Sequence, residues 1–275
     1  MILRLWRAFV CLGLRLPSSP AQAHDVSAEA RTEFVEPIVT EETLPNEPGE
    51  WDLRISCAYA RDRADISADC LRTQLFFGIA PGWGLELENV LSNISGDRPE
   101  EARAKLGAAL KYVLREPSMH GPALVLALES GFAVGRRQPS EEGRVELQPT
   151  FAFLQSLGRT TVQGNLAYAV TPGGAKTTQQ AVYNLSVGVP WRQQRWHAFA
   201  EVTGSAGDGL PEIAFSPGLK YSFAGGHFLA VALPIGLNSS SPAIGALFQV
   251  QFALSKAREE QKSPSAEGPL AHESD

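Results

Sequence analysis

The stretch that decides the fold runs from Ala181 to Val202, AVYNLSVGVPWRQQRWHAFAEV. Ala181, Tyr183, Leu185, Val187, Val189 and Trp191 alternate with Val182, Asn184, Ser186, Gly188 and Pro190. After Arg192-Gln193-Gln194-Arg195, the residues Trp196, Ala198, Ala200 and Val202 alternate with His197, Phe199 and Glu201. A period of two sends successive side chains to opposite faces, so this is a pair of strands whose faces meet different surroundings. The polar tetrapeptide is the turn between them. Trp191 and Trp196 bracket it on the apolar face, where an aromatic belt sits in a membrane barrel.

The same alternation recurs from Trp51 to Leu254. Working outward from the hairpin, about twelve such segments can be counted, an even number that suits a bacterial outer-membrane barrel. Each pairs an apolar face with a polar one, as in Leu85 and Leu87 against Glu86 and Glu88, or Leu106 and Leu110 against Lys105 and Lys111. The eleventh strand is expected to run unbroken from Leu229 to Leu237. The predicted fold is therefore all-β, a transmembrane antiparallel up-and-down β-barrel of about twelve strands spanning 51–254. No run approaches the ~18 apolar residues of a spanning helix. A chain that is 44% hydrophobic is compatible with a barrel, in which only every second residue meets lipid.

The flanks read differently. Arg4 and Arg7 precede the apolar run Ala8–Leu14, and Ala21-Gln22-Ala23 has the form of a cleavage site, so 1–23 is expected to be a signal peptide. Val10 is too large for the residue preceding a lipobox cysteine, which argues against Cys11 as a lipid attachment point. Residues 24–50 are polar, with Pro37, Pro45 and Pro48, and read as an extended periplasmic segment, either a spacer or a plug. Residues 255–275 are charged and aperiodic and are expected to be a disordered tail.

The net charge is −6 and becomes more negative once a leader carrying Arg4, Arg7 and Arg15 is removed. An acidic chain argues against nucleic acid, which calls for clustered Lys and Arg. Cys57 and Cys70 flank the first hairpin loop. An oxidising compartment permits a disulfide, but strand parity places the two thiols on opposite faces.

Alternate connections differ in length. Pro81-Gly82 and Gly158-Arg159 are tight, whereas Ser95–Ala102 and Arg136–Gly143 are long. Short periplasmic turns and longer external loops are the outer-membrane pattern, although Glu116–Gly121 and Asn238–Ser241 fit it poorly. On this topology the membrane-interface aromatics Trp51, Trp83, Trp191 and Trp196 all fall on the apolar face at periplasmic strand ends. Tyr59, Phe132, Tyr168, Tyr183 and Phe215 fall nearer the other level.

If the apolar face meets lipid, the polar face lines the lumen. The lining candidates are Arg54, Arg72, Glu86, Glu88, Lys111, Glu129, Glu201 and Lys220, with Lys105, Arg115 and Glu146 beside them. Aligning the third and fourth strands across their loop places Glu86 opposite Lys111. Gly78, Gly107, Gly131, Gly164 and Gly188 leave room between the charges. Such a lining reads either as an ion-pair network that packs the lumen or as a polar conduit, narrow because wide pores need roughly 16–18 strands.

An enzyme would need a nucleophile, a base and an orienting group within hydrogen-bond reach. His197 and Glu201 share a face four residues apart, but no serine is paired with them in the pattern. No cluster has metal-ligand spacing and no glycine loop cradles phosphate, so no catalytic residue, metal or cofactor is expected.

Several segments resemble the outer-membrane family named after the meta-pathway of phenol degradation: Glu36–Asp52 (EPIVTEETLPNEPGEWD), Leu75–Leu87 (LFFGIAPGWGLEL), Leu106–Leu114 (LGAALKYVL), Phe199–Gly204 (FAEVTG) and Pro217–Phe223 (PGLKYSF). The resemblance covers most of Phe34–Leu254. It implies a transporter-like barrel for small solutes, hydrophobic or aromatic ones among them, and carries over no catalytic residues. Two features depart from the family: Arg103-Ala104-Lys105 replaces its Gly-Asp pair, and a tail follows the last strand. Outer-membrane lipids, the outer-membrane assembly machinery and a small-molecule solute are the partners expected. The alternatives are a structural barrel with a closed, ion-paired lumen and, third, an envelope hydrolase.

Overall fold

The computed structural model describes residues 43–61, 67–95, 101–118, 121–134, 145–172, 177–191, 195–208 and 211–255. The expected leader, most of the 24–50 segment and the tail past Ser255 lie outside these residues. All regular structure in the described residues is β: β1 (Trp51–Arg61), β2 (Ser67–Ala80), β3 (Trp83–Ser95), β4 (Glu101–Arg115), β5 (Ala123–Val134), β6 (Val145–Leu157), β7 (Thr160–Thr171), β8 (Thr178–Trp191), β9 (Trp196–Gly207), β10 (Glu212–Ser222), β11 (Phe228–Ala232), β12 (Ile235–Gly236) and β13 (Ile244–Ala253).

From β1 to β11 each strand pairs antiparallel with the next, and β1 pairs with β13 from Asp52↔Ala253 to Arg61↔Ile244, which closes the sheet. β11 and β12 occupy one position in the wall, between β10 and β13, so the closed barrel has twelve strands. The strand expected to run from Leu229 to Leu237 is thus broken at Leu233-Pro234. Proline has no amide hydrogen to give to the ladder. The pairing resumes at once, with the Gly245 amide donating to the Pro234 carbonyl at 2.7 Å and the Leu237 amide to Ile213 at 2.8 Å.

The tight connections gather at one end, termed the turn end. Gly82 (φ 73°) and Gly158 (φ 65°) adopt there the left-handed conformation that a two-residue hairpin turn requires. Both ends of the barrel chain meet at this rim. The Trp51 amide donates to Ser255 Oγ at 2.8 Å, and the Ser255 hydroxyl donates to the Gly49 carbonyl at 3.2 Å.

The side chains sort inside out. Large apolar residues are exposed on every long strand, among them Leu128, Leu166, Leu185 and Phe248. The buried apolar residues are mainly alanines, whereas Arg54, Glu86, Lys111, His197, Glu201 and Lys220 are buried. A soluble domain distributes these classes the other way round. Strands of 14 residues such as β2 and β8, tilted as barrel strands are, suffice to cross an apolar band of ~25 Å.

The register corrects three expectations. Glu86 pairs with Ala109 and Lys111 with Gly84, so the two charged residues are diagonal rather than opposite. Arg115 lies past a register shift at Val113/Arg115, pairs with Leu124, and is exposed rather than inward. Gly164 alternates with the buried Gln163 and so belongs to the outward face, where the Phe153 ring covers it. Cys57 is opposite Leu71 and Cys70 opposite Ala58, and both are free thiols.

Candidate functional site: the barrel interior

Five inward side chains near the turn end form an alternating chain of cations and rings. Lys220 Nζ on β10 lies 4.2 Å from the centroid of Phe228 on β11. The Arg54 guanidinium on β1 lies 5.6 Å from Phe228 and 4.6 Å from Phe76 on β2. Lys111 Nζ on β4 lies 5.5 Å from Phe76. All five residues are buried, and a desolvated cation over a ring is worth ~2 kcal/mol. Arg54 also donates from Nε and Nη2 to Gln251 Oε1 at 2.9 and 2.6 Å. The expected list placed Arg54, Lys111 and Lys220 on the inward face but missed the rings between them. Strand parity was the signal that could have found them, since Phe76 falls in phase with Arg72 and Gln74.

A buried ion pair adjoins this chain. Lys111 Nζ lies 3.0 Å from Glu86 Oε2, both side chains are only 5% exposed, and Gln74 donates to Glu86 Oε1 at 2.6 Å. The diagonal offset is short enough for the long lysine side chain to span.

On the opposite arc the register aligns one residue from each of four strands: Gln163↔Ser186, Ser186↔Glu201 and Glu201↔Ser216. All four are at most 2% exposed. Among the described residues, the Gln163 amide nitrogen and oxygen and the Ser216 hydroxyl have no hydrogen-bond partner. Buried groups of this kind call for water or a solute, because an unmatched polar atom is costly. His197 sits four residues nearer the turn end than Glu201, buried and opposite Lys220.

Toward the loop end the wall from β2 to β6 carries a polar cavity of about 160 Å³. Arg72, Glu88, Lys105, Glu129, Glu146 and Gln148 line it. Arg72 Nε donates to Glu88 Oε2 at 2.5 Å, and Lys105 Nζ reaches Glu146 Oε1 at 2.8 Å across the intervening β5. Gly131 lies under that reach, and a Cβ there would collide with the lysine chain. Glu129 accepts from Gln148 Nε2 and Thr150 Oγ1, each at 2.7 Å. Among the described residues, no group of three or more His, Cys, Asp or Glu could hold a metal ion.

Trp51, Trp83, Trp191 and Trp196 lie outside, at the turn end. Trp51 packs against Phe77 (4.3 Å between ring centroids), Trp83 against Tyr112 (4.5 Å) and Trp196 against Tyr221 (4.8 Å), all with tilted rings, and Tyr221 meets Phe223 edge-on. Trp191 faces Trp196 across the hairpin. They form an amphipathic aromatic rim bordering the apolar wall.

Neither a protein-family model nor a characterised protein sequence matches the chain. Solved structures do. An outer membrane channel from Pseudomonas putida F1 aligns with a TM-score of 0.56 at 13% identity, covering 79% of this chain and 100% of that one. The KdgM porin aligns with a TM-score of 0.51 at 12% identity, covering 74% and 99%. The beta domain of the Bordetella autotransporter BrkA aligns with a TM-score of 0.52 at 11% identity, covering 76% and 100%. At these identities the likeness is one of fold: an outer-membrane-type barrel, shared by a channel, a porin and an autotransporter beta domain.

Proposed function

We propose that this chain is an outer-membrane channel for small solutes. The carrying observation is a closed barrel with an exposed apolar outer wall and an interior lined by charged and hydrogen-bonding groups, of which Gln163 and Ser216 have polar atoms without a partner among the described residues. The fold likeness to a channel and a porin supports the same reading and favours it over an envelope hydrolase. Arg54, Arg72, Glu86, Glu88, Lys111, Glu129, Glu201 and Lys220 are the lining residues in this proposal. Trp51, Trp83, Trp191 and Trp196 anchor the periplasmic interface. Outer-membrane lipids surround the barrel, a cleaved leader (1–23) exports it, and the assembly machinery inserts it. Residues 24–50 precede the barrel (51–254) at its periplasmic end, and a tail (255–275) follows it.

Membership of the phenol meta-pathway family is the finer proposal, resting on the segment resemblances. A hydrophobic or aromatic solute is the cargo that this resemblance implies. Purified full-length barrel in planar bilayers tests the reading. Discrete conductance steps and saturable uptake of small aromatic solutes into vesicles are expected. A barrel that seals the bilayer and admits no solute overturns it.

The buried Glu86–Lys111 pair favours a second reading, a structural barrel whose lumen is closed by ion pairs. That reading predicts Glu86→Ala to lower stability while permeability stays at the bare-lipid level.

A further inference from the structure

The stretch just before β1 does not simply lead up to it. Glu50 continues the β1–β2 ladder, with its carbonyl accepting from the Gly78 amide at 3.0 Å. Gly49 then turns the chain with a φ of 86°, and its amide donates to the Gly78 carbonyl at 2.9 Å. Pro48 bridges Gly78 in the parallel sense. The backbone of Glu47 crosses the inward face of Gly78, and the Pro45 side chain lies on Gly84. Thr43, further along, is 4% exposed.

The two glycines form a single seat. Gly78 and Gly84 are opposite one another in the β2–β3 ladder. Both point inward, in phase with the buried Phe76 and Glu86 on their strands. A Cβ at Gly78 would collide with the Glu47 carbonyl, and one at Gly84 with the Pro45 ring. Glycine weakens a strand interior and marks the places where another backbone comes close. Here two meet side by side at the turn-end mouth, and the segment laid across them is the backbone that comes close. The segment is braced on itself as well: the Glu47 amide donates to Glu50 Oε2 at 2.9 Å, and Asn46 Nδ2 to Asp52 Oδ2 at 3.1 Å.

We infer that Thr43–Glu50 is a built-in stopper, seated on Gly78 and Gly84, that narrows the turn-end mouth of the barrel. The inference rests on the channel reading for its effect on permeation, but not for the seat itself. A side chain on either glycine lifts the stopper, and the wall beneath is left intact.

Two readouts separate the seat from its effect. In full-length protein otherwise free of cysteine, Thr43→Cys is expected to react slowly with a membrane-impermeant maleimide. Adding Gly84→Leu is expected to speed the reaction roughly tenfold or more, because the thiol is then reached without a local opening step. Thr43→Cys that reacts at the rate of an exposed thiol with both glycines present overturns the seat, as does a rate indifferent to Gly84→Leu. In bilayers, Gly78→Leu, Gly84→Leu and a deletion of Thr43–Pro48 are each expected to raise the unit conductance. The deletion leaves every barrel strand unchanged, and heat-modifiable gel mobility reports closure of all variants. Faster labelling with unchanged conductance overturns the stopper role. Absence of conductance in every variant sinks the channel reading, while the labelling rates still decide the seat.

Discussion

Glu86→Ala removes the carboxylate from an ion pair whose two side chains are each 5% exposed. Lys111 stays behind with its charge, still beside Phe76 at 5.5 Å, while Gln74 loses its 2.6 Å acceptor. Removing one member of a buried pair costs about 3–5 kcal/mol, because the remaining charge must be desolvated without its counterion. The orphaned Gln74 amide adds about 1 kcal/mol. Lys111→Met should cost a similar amount for the mirror-image reason, so two independent losses would sum to about 6–10 kcal/mol. The double variant Glu86→Ala/Lys111→Met leaves no stranded charge and should cost no more than either single change. Urea titration of the barrel in lipid vesicles gives the three stabilities, with the four outward tryptophans reporting transfer from lipid to water. Additive single costs would refute the reasoning, since they would show that the charges do not interact. A cost below about 1 kcal/mol for each would place the pair in water rather than in a packed interior.

Three further outcomes follow from the same geometry. Leu128→Arg, mid-strand on the exposed face of β5, should destabilise the membrane-inserted barrel by about 2–4 kcal/mol, whereas Gln148→Arg on the inner wall should cost far less; equal urea midpoints would contradict the assignment of faces. Gly131→Leu should displace Lys105 from Glu146, yet cost under about 1 kcal/mol from that pair because both side chains are substantially exposed; the same titration measures it, and a loss several times larger would mean that packing rather than the ion pair governs the position. Tryptophan emission should be quenched more strongly by headgroup-level nitroxide lipids than by mid-chain ones, since all four rings sit at one rim; the reverse order would place that rim in the hydrocarbon core.

The alternation of single residues was enough to give the wall. The inward or outward choice follows from a period of two, and Trp191 with Trp196 marks the level of the turn. The misplacements have local causes. Pro234 lacks the amide that would have kept its strand whole, and the register shift after Val113 turned Arg115 outward. Loop length alone sets Glu86 opposite Lys111, whereas the register differs by two residues, a shift that leaves every face unchanged. Alternation says which face a residue occupies but not how high across the barrel its side chain reaches. That is why the Arg54–Phe76–Phe228 stack and the Lys105–Glu146 bridge over Gly131 were not legible. The Gly78–Gly84 seat escaped for another reason: a glycine shows only that room exists, and the occupant lies more than thirty residues away in sequence.

The clasp at the turn end, where the Leu254 amide meets the Trp51 carbonyl and Ser255 holds Gly49, bears on how the barrel is made. The other pairings in the wall join strands close in the chain, but this one joins residues some two hundred positions apart. Until it forms, β1 and β13 are raw edges, and hydrocarbon tolerates no raw edge. Insertion into lipid must therefore either wait for the last strand or be chaperoned by a surface that borrows its place. Once the clasp is made, the origin of the chain becomes arbitrary. With its ends side by side at one rim, the ring could be reopened at any loop on the far side and rejoined here without changing a single strand pair.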